Sequence, residues 1–171
     1  NHIVEADIRG FFDRVNHAWL LKFLQQRIGD QRVLRLITRM LKAGILEDGL
    51  VHPGEVGTPQ GSILSPVLSN IYLHYVLDLW FDRRVKQQIR GGCFLVRYAD
   101  DFVCLLQYQE DARYVAEQLR ERFAAFDLQL HPEKTRVISF GRYERENACR
   151  QKRRAHTFDF LGFTHFCGRS R

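Results

Sequence analysis

Cysteine is scarce and unordered in this chain. The four present, Cys93, Cys104, Cys149 and Cys167, include no C-x-x-C pair, and His165 with Cys167 is only a weak local pair. That spacing excludes a zinc finger and a disulfide-stapled scaffold. It reads as free thiols, mostly buried, in a reducing compartment, here the cytoplasm. No apolar run reaches the roughly 18 residues of a membrane helix, which excludes a helical membrane anchor. No signal peptide is visible. Methionine occurs once, at Met40, and Asn1 runs straight into a strand pattern, so the chain reads as a piece of a longer protein.

What is present fits one domain or one large subdomain. The 171 residues are 45% hydrophobic and 27% charged, enough to bury a real core. Lys and Arg number 26 against 20 Asp and Glu, a net charge of +6. Most of that excess lies between Arg142 and Arg171, where eight basic residues face three acids. Such a stretch suits the phosphates of a nucleic acid. A solvated polar loop over 141–156, with Lys152-Arg153-Arg154 in it, is the competing reading.

Along the chain, residues 2–8 read as a short strand ending near Asp7, and Gly10 allows a bend. Asn16 or Asp13 would cap a helix carrying Trp19, Leu20, Phe23 and Leu24, and Asp30 would cap a second running to Gly44. Both apolar stripes are core-facing by default. Glu47-Asp48-Gly49 reads as a hairpin turn. The spacing predicts a long helix over 65–85, with Pro66 in its first turn. An amphipathic helix is predicted over 110–126. Leu128-x-Leu130, Val137 to Phe140 and Phe158 to Phe163 read as strands.

The sharpest local feature is Tyr98-Ala99-Asp100-Asp101, set between the apolar runs Phe94-Leu95-Val96 and Phe102 to Leu106. Two apolar runs around a tight acidic turn read as a β-hairpin. Alone, an Asp-Asp pair is as well explained by turn preference. The element order, however, is that of an α+β fold in which a ferredoxin-like antiparallel sheet is backed by helices. That arrangement would bring Asp7 beside Asp100 and Asp101. Three such carboxylates suit a pair of Mg²⁺ ions, with Mn²⁺ as a substitute, and phosphoryl or nucleotidyl transfer.

Five ordered segments carry a resemblance to reverse transcriptases of the group II intron-encoded bacterial type. They are Asp7-Ile8-Arg9-Gly10-Phe11-Phe12-Asp13, Gly57-Thr58-Pro59-Gln60-Gly61-Ser62-Ile63-Leu64-Ser65-Pro66, Tyr98-Ala99-Asp100-Asp101, Leu130-x-x-x-Lys134-Thr135 and Phe160-Leu161-Gly162-Phe163. The resemblance implies a polymerase palm with part of the fingers over residues 1–171. It implies an RNA-directed DNA polymerase that joins dNTPs to a primer 3′-hydroxyl on an RNA template. It also implies roles. Asp7 and Asp100 would ligate both ions, with the Ile8 carbonyl completing one shell and Asp101 more peripheral. Phe12 would be the steric gate under the nucleotide sugar, and Gly10 and Phe11 amides, with Arg9, would hold the triphosphate. Pro59, Gln60 and Gly61 would shape the nucleotide site. Relatives often carry Gly where Ser62 stands, which bears on loop flexibility. Lys134 would protonate or neutralise the leaving pyrophosphate. Phe160, Leu161, Gly162 and Phe163 would grip the primer, or serve as strand core, or both.

Such enzymes need finger segments and a thumb that would lie outside these residues, so the chain alone is expected to be weak or inactive. An intron protein with maturase function is the favoured parent; a retron, a diversity-generating element and a CRISPR-associated enzyme stay open, as do intron RNA as a partner and a dimeric state. Two other functions stay open: a nucleotidyl cyclase of the palm type, and a non-catalytic scaffold binding RNA or protein.

Overall fold

A computed structural model describes residues 1–43, 45–47, 50–52, 57–58 and 64–168. β1 (His2–Ala6) is followed by α1 (Phe11–Arg14), α2 (His17–Gln25) and α3 (Gln31–Lys42). β2 (Ile45–Glu47) and β3 (Leu50–His52) pair as a hairpin closed by Glu47 and Leu50; its turn at Asp48-Gly49 lies outside the described residues. Next come α4 (Ser65–Leu73), π-helical turns at His74–Asp78 and Phe81–Val85, and α5 (Lys86–Gln88). β4 (Cys93–Tyr98), β5 (Asp101–Leu106), α6 (Gln109–Ala124) and β6 (Arg136–Ser139) follow, then α7 (Glu144–Arg150), β7 (Thr157–Phe160) and β8 (Phe163–Phe166).

The main sheet has the order β4-β5-β1-β6 with antiparallel neighbours, the ferredoxin-like arrangement expected. Strand alternation sorts its side chains between two faces. Val4, Ala6, Phe102, Cys104 and Leu106 pack against the helices, where α6 contributes Ala112, Val115, Leu119 and Phe123. Phe102 meets Phe123 edge to face at 5.8 Å. Ile3, Val103 and Ile138 point the other way and are covered by Phe158 of β7. By the same alternation Asp7 belongs to this second face.

Local chemistry explains the element ends. The Asn16 carboxamide accepts from the amides of Ala18 and Trp19 and so caps α2, and Asp30 accepts from Arg32 and caps α3. Among the described residues no helix is long and apolar enough to cross a membrane. All four cysteines are free, but only Cys93 and Cys104 are buried; Cys149 is exposed and Cys167 half-buried.

Three expectations are corrected. The stretch 141–156 is not simply a loop but holds α7. Its inward residues are Ala148 and Glu144, and Glu144 accepts hydrogen bonds from Arg153 and His156. Charge density hid this, because Arg153 is folded inward and holds the Glu144 carboxyl below its usual range. Leu128-x-Leu130 is not a strand: Leu130 makes a single bridge, to Ile8. The helix expected over 65–85 runs on to Gln88 and contains the two π-helical turns.

Candidate active site

β4 and β5 are closed by the pair Tyr98 and Asp101, so Ala99 and Asp100 form a two-residue turn. Ala99 takes φ 53°, in the left-handed region where a side chain is tolerated but not favoured. One step beyond the last pair of β1 with β5, Ala6 and Phe102, the two strands carry Asp7 and Asp101. Lys134 closes the group from the turn after α6, donating to Asp7 Oδ2 at 2.8 Å.

The electrostatics are those of crowded carboxylates. Burial pushes the Asp101 carboxyl up, and the negative charges of Asp100 and Asp7 push it further, while Lys134 acts in the opposite sense. Lys134 is raised by its hydrogen bond to Asp7 and by the charges of Asp7 and Asp101. A cavity of about 420 Å³ opens on this face. Five carboxylates line it (Glu5, Asp7, Asp101, Glu133 and Asp159), against two cations, Lys134 and Arg136. Oxygen donors under net negative charge suit a hard divalent cation. Among the described residues, however, no three His, Cys, Asp or Glu side chains already stand in a metal-holding arrangement.

A carboxyl raised by folding holds its proton more tightly in the fold than in the unfolded chain. Its contribution therefore favours the fold at low pH and is lost as pH rises through the raised value. Asp101→Asn is expected to raise the melting temperature at pH 7. The gain should shrink as pH falls through about 4, where the unfolded aspartate begins to take up its proton, and vanish below that. Thermal melts of both proteins across that range check it.

The remaining residues fall as follows. Ile8 is buried and bridges Leu130 through its neighbours: Arg9 N donates to Gln129 O and His131 N donates to Asp7 O, both at 2.8 Å. The Ile8 carbonyl takes no part in that bridge. Gly10 sits at φ 55° and leads into α1, where Phe11 is a core side chain and Phe12 half-buried, their rings 5.3 Å apart. Arg9 is exposed. Pro59, Gln60 and Gly61 lie outside the described residues; just before them Thr58 N donates to Phe12 O at 2.7 Å and Gly57 N to Val15 O at 2.9 Å. A Cβ on Gly57 would fall 2.8 Å from Phe12 O, and its φ is 88°. Gly57→Ala is expected to cost about 2 kcal/mol or more through backbone strain, measurable by urea denaturation. Leu161 and Gly162 are the two-residue turn of the β7–β8 hairpin, both at positive φ. Phe160 packs on the Ile3 cluster and lines the acidic cavity, while Phe163 is 71% exposed. One ring is thus packed on the sheet and the other stands open to solvent.

Two positioning networks escaped the sequence. Arg97 donates to both Asp78 carboxylate oxygens (2.7 and 2.6 Å), to Asn70 Oδ1 (2.8 Å) and to Ala99 O (2.8 Å), tying the acidic turn to the helix. Glu5 accepts from Arg136 and from Asp159 N, holding the β7–β8 hairpin on the sheet. An Arg immediately before Tyr98 was the only available signal for the first; nothing marked the second.

Comparison with known proteins gives a consistent picture. The profile of the family "Reverse transcriptase (RNA-dependent DNA polymerase)" matches residues 1–165. Group II intron-encoded protein LtrA of Lactococcus lactis subsp. cremoris is 35% identical over 150 residues, which cover 82% of this chain and 25% of LtrA. Protein YkfC of Escherichia coli K12 is 30% identical, covering 79% of this chain and 42% of YkfC. Among solved structures, telomerase from Candida albicans in complex with a telomeric RNA fragment superposes with a TM-score of 0.68 at 14% identity, over 95% of this chain and 29% of that one. Apo telomerase from Candida tropicalis gives 0.69 at 12%, over 97% and 30%. At such identities the structural likeness concerns the fold. The chain spans a quarter of LtrA and under half of YkfC.

Proposed function

The chain belongs to the reverse transcriptase (RNA-dependent DNA polymerase) family, and from that premise we propose that residues 1–171 are the palm, with part of the fingers, of a group II intron-type RNA-directed DNA polymerase. The observation that carries this reading is the meeting of Asp7, Asp101 and Lys134 at one end of the sheet, beside the turn bearing Asp100. The cavity's excess of carboxylates, Asp7 and Asp101 among them, fits divalent cations; two Mg²⁺ ions would be held by Asp7, by Asp100 on the adjoining turn and by the Ile8 carbonyl, with Asp101 nearby. When bound, such ions lower the barrier to attack by the primer hydroxyl and stabilise the pyrophosphate.

The chain's own groups do the positioning. Phe12, held through its carbonyl by Thr58, stands under the nucleotide sugar, and its ring excludes a 2′-hydroxyl. Arg9, with the amides of Gly10 and Phe11, faces the triphosphate. Pro59, Gln60 and Gly61 border the base. Lys134 carries its charge to the pyrophosphate. Phe160, Leu161, Gly162 and Phe163 hold the primer end against the cavity. RNA template, DNA primer and dNTP are the partners, and intron RNA is a further one for a maturase. Because the relatives are longer, activity is proposed for a polymerase that contains these residues. Primer extension on an RNA template with dNTPs and Mg²⁺ tests it. DNA synthesis is expected; RNA binding without synthesis would favour a non-catalytic scaffold.

A further inference from the structure

The polymerase reading leaves unused the end of the sheet opposite the carboxylates. There Ser139 pairs with His2, and Phe140 N donates to Asn1 O at 3.0 Å. The length of β1 sets that end roughly 16 Å from Asp7. A cavity of about 450 Å³ opens beside it, between α7 and β8, lined by Arg142, Arg145, Phe140 and Phe166. Arg142 and Arg145 are exposed, and among the described residues neither forms an ion pair. The contrast is with Arg153, whose guanidinium is held by Glu144. Glu146 is the one carboxylate on the cavity wall. Phe166 is 72% exposed, an unusual amount for a ring on a strand. Arg145 stands on a fixed support, since α7 is held by its buried Glu144 and Ala148, and Arg142 lies in the turn that leads into it.

Two guanidinium groups outside any ion pair, with Arg142 over the Tyr143 ring at 5.7 Å, and an exposed ring on one cavity match a phosphate and the base attached to it. We propose that this cavity binds a segment of single-stranded nucleic acid, with phosphodiesters on Arg142 and Arg145 and a base stacked on Phe166. A single strand fits better than a duplex, because paired bases stack on one another and offer no face to the ring. The site is separate from the catalytic end, and the inference rests on the reading that the chain handles RNA.

Fluorescence anisotropy with a labelled oligouridine, and with the same length of fully paired RNA, tests it on the full chain across a salt series. Arg142→Gln with Arg145→Gln should weaken single-strand binding about tenfold at low salt and flatten the salt slope by about 1.4, the value for two phosphate contacts on a single strand. Phe166→Ala should weaken single-strand binding about tenfold and leave paired RNA unchanged. Unchanged melting temperatures certify folding, since all three side chains are exposed. Binding equal to wild type in both variants would overturn the proposal, and so would losses that fall equally on paired RNA. A longer polymerase containing these residues that keeps this binding but fails to extend primers would count against the polymerase reading alone. Extension with binding indifferent to these variants would count against this site alone.

Discussion

Asp100→Asn is expected to reduce RNA-templated DNA synthesis by roughly 1,000-fold while leaving the protein folded. Asparagine keeps the size of the side chain and its capacity to form the turn, so the Tyr98 and Asp101 pairing should survive. What it removes is one negative charge from the tip of a hairpin built to concentrate charge. An electrostatic group placed where charge develops in a reaction is typically worth 100- to 1,000-fold in turnover. A carboxylate proposed to hold the metal as well belongs at the upper end of that range. Stability should move the other way, because Asp100 adds to the repulsion that raises the Asp101 carboxyl. Loss of activity joined to equal or higher melting temperature is the expected signature. Loss of both together would mean that the turn, not the charge, had been damaged.

Arg97→Ala is expected to lower kcat by 10- to 100-fold with little change in the KM for dNTP. Arg97 touches neither Asp7 nor Lys134. Its forked guanidinium instead spans Asp78, Asn70 and Ala99 O, and so fixes the residue next to Asp100 relative to the helix. Supporting groups one layer out from a metal ligand commonly contribute 10- to 100-fold. The substitution also leaves the Asp78 carboxylate, 29% exposed, with His74 alone beside it, at about 1 kcal/mol of stability. Arg97→Lys keeps the charge and loses the fork, and should recover stability more than turnover. Asp78→Asn should repeat the kcat loss, and the double variant should lose less than the sum. A fall in stability with kcat intact would reduce Arg97 to a structural brace.

The sequence made legible what depends on neighbours in the chain. Apolar runs around Ala99-Asp100 could only be a hairpin, Asn16 and Asp30 announced their helices, and the ordered motifs implied a sheet that joins Asp7 to Asp101. What it hid depends on distance. Arg97 finds Asp78 and Asn70 across 19 and 27 positions, and Asp78 lies in a π-helical turn that no 3.6-residue periodicity reveals. α7 was masked by its own charge: Glu144 reads as a surface residue until Arg153 and His156 are seen folded over it. The hidden carboxylate of Glu5 likewise gains its meaning only when β6 and β7 arrive beside β1. The Lys134 and Asp7 contact, by contrast, joins two residues that the motifs had already singled out.

The most direct test of the central claim is Mn²⁺ retention, followed by electron paramagnetic resonance with a dNTP present, in the wild-type protein and in Asp7→Asn and Asp100→Asn. The account predicts that the wild type holds Mn²⁺ and that each substitution releases it while the fold persists. Retention undiminished in both variants would place the metal elsewhere and contradict the assignment of the acidic turn as the catalytic centre.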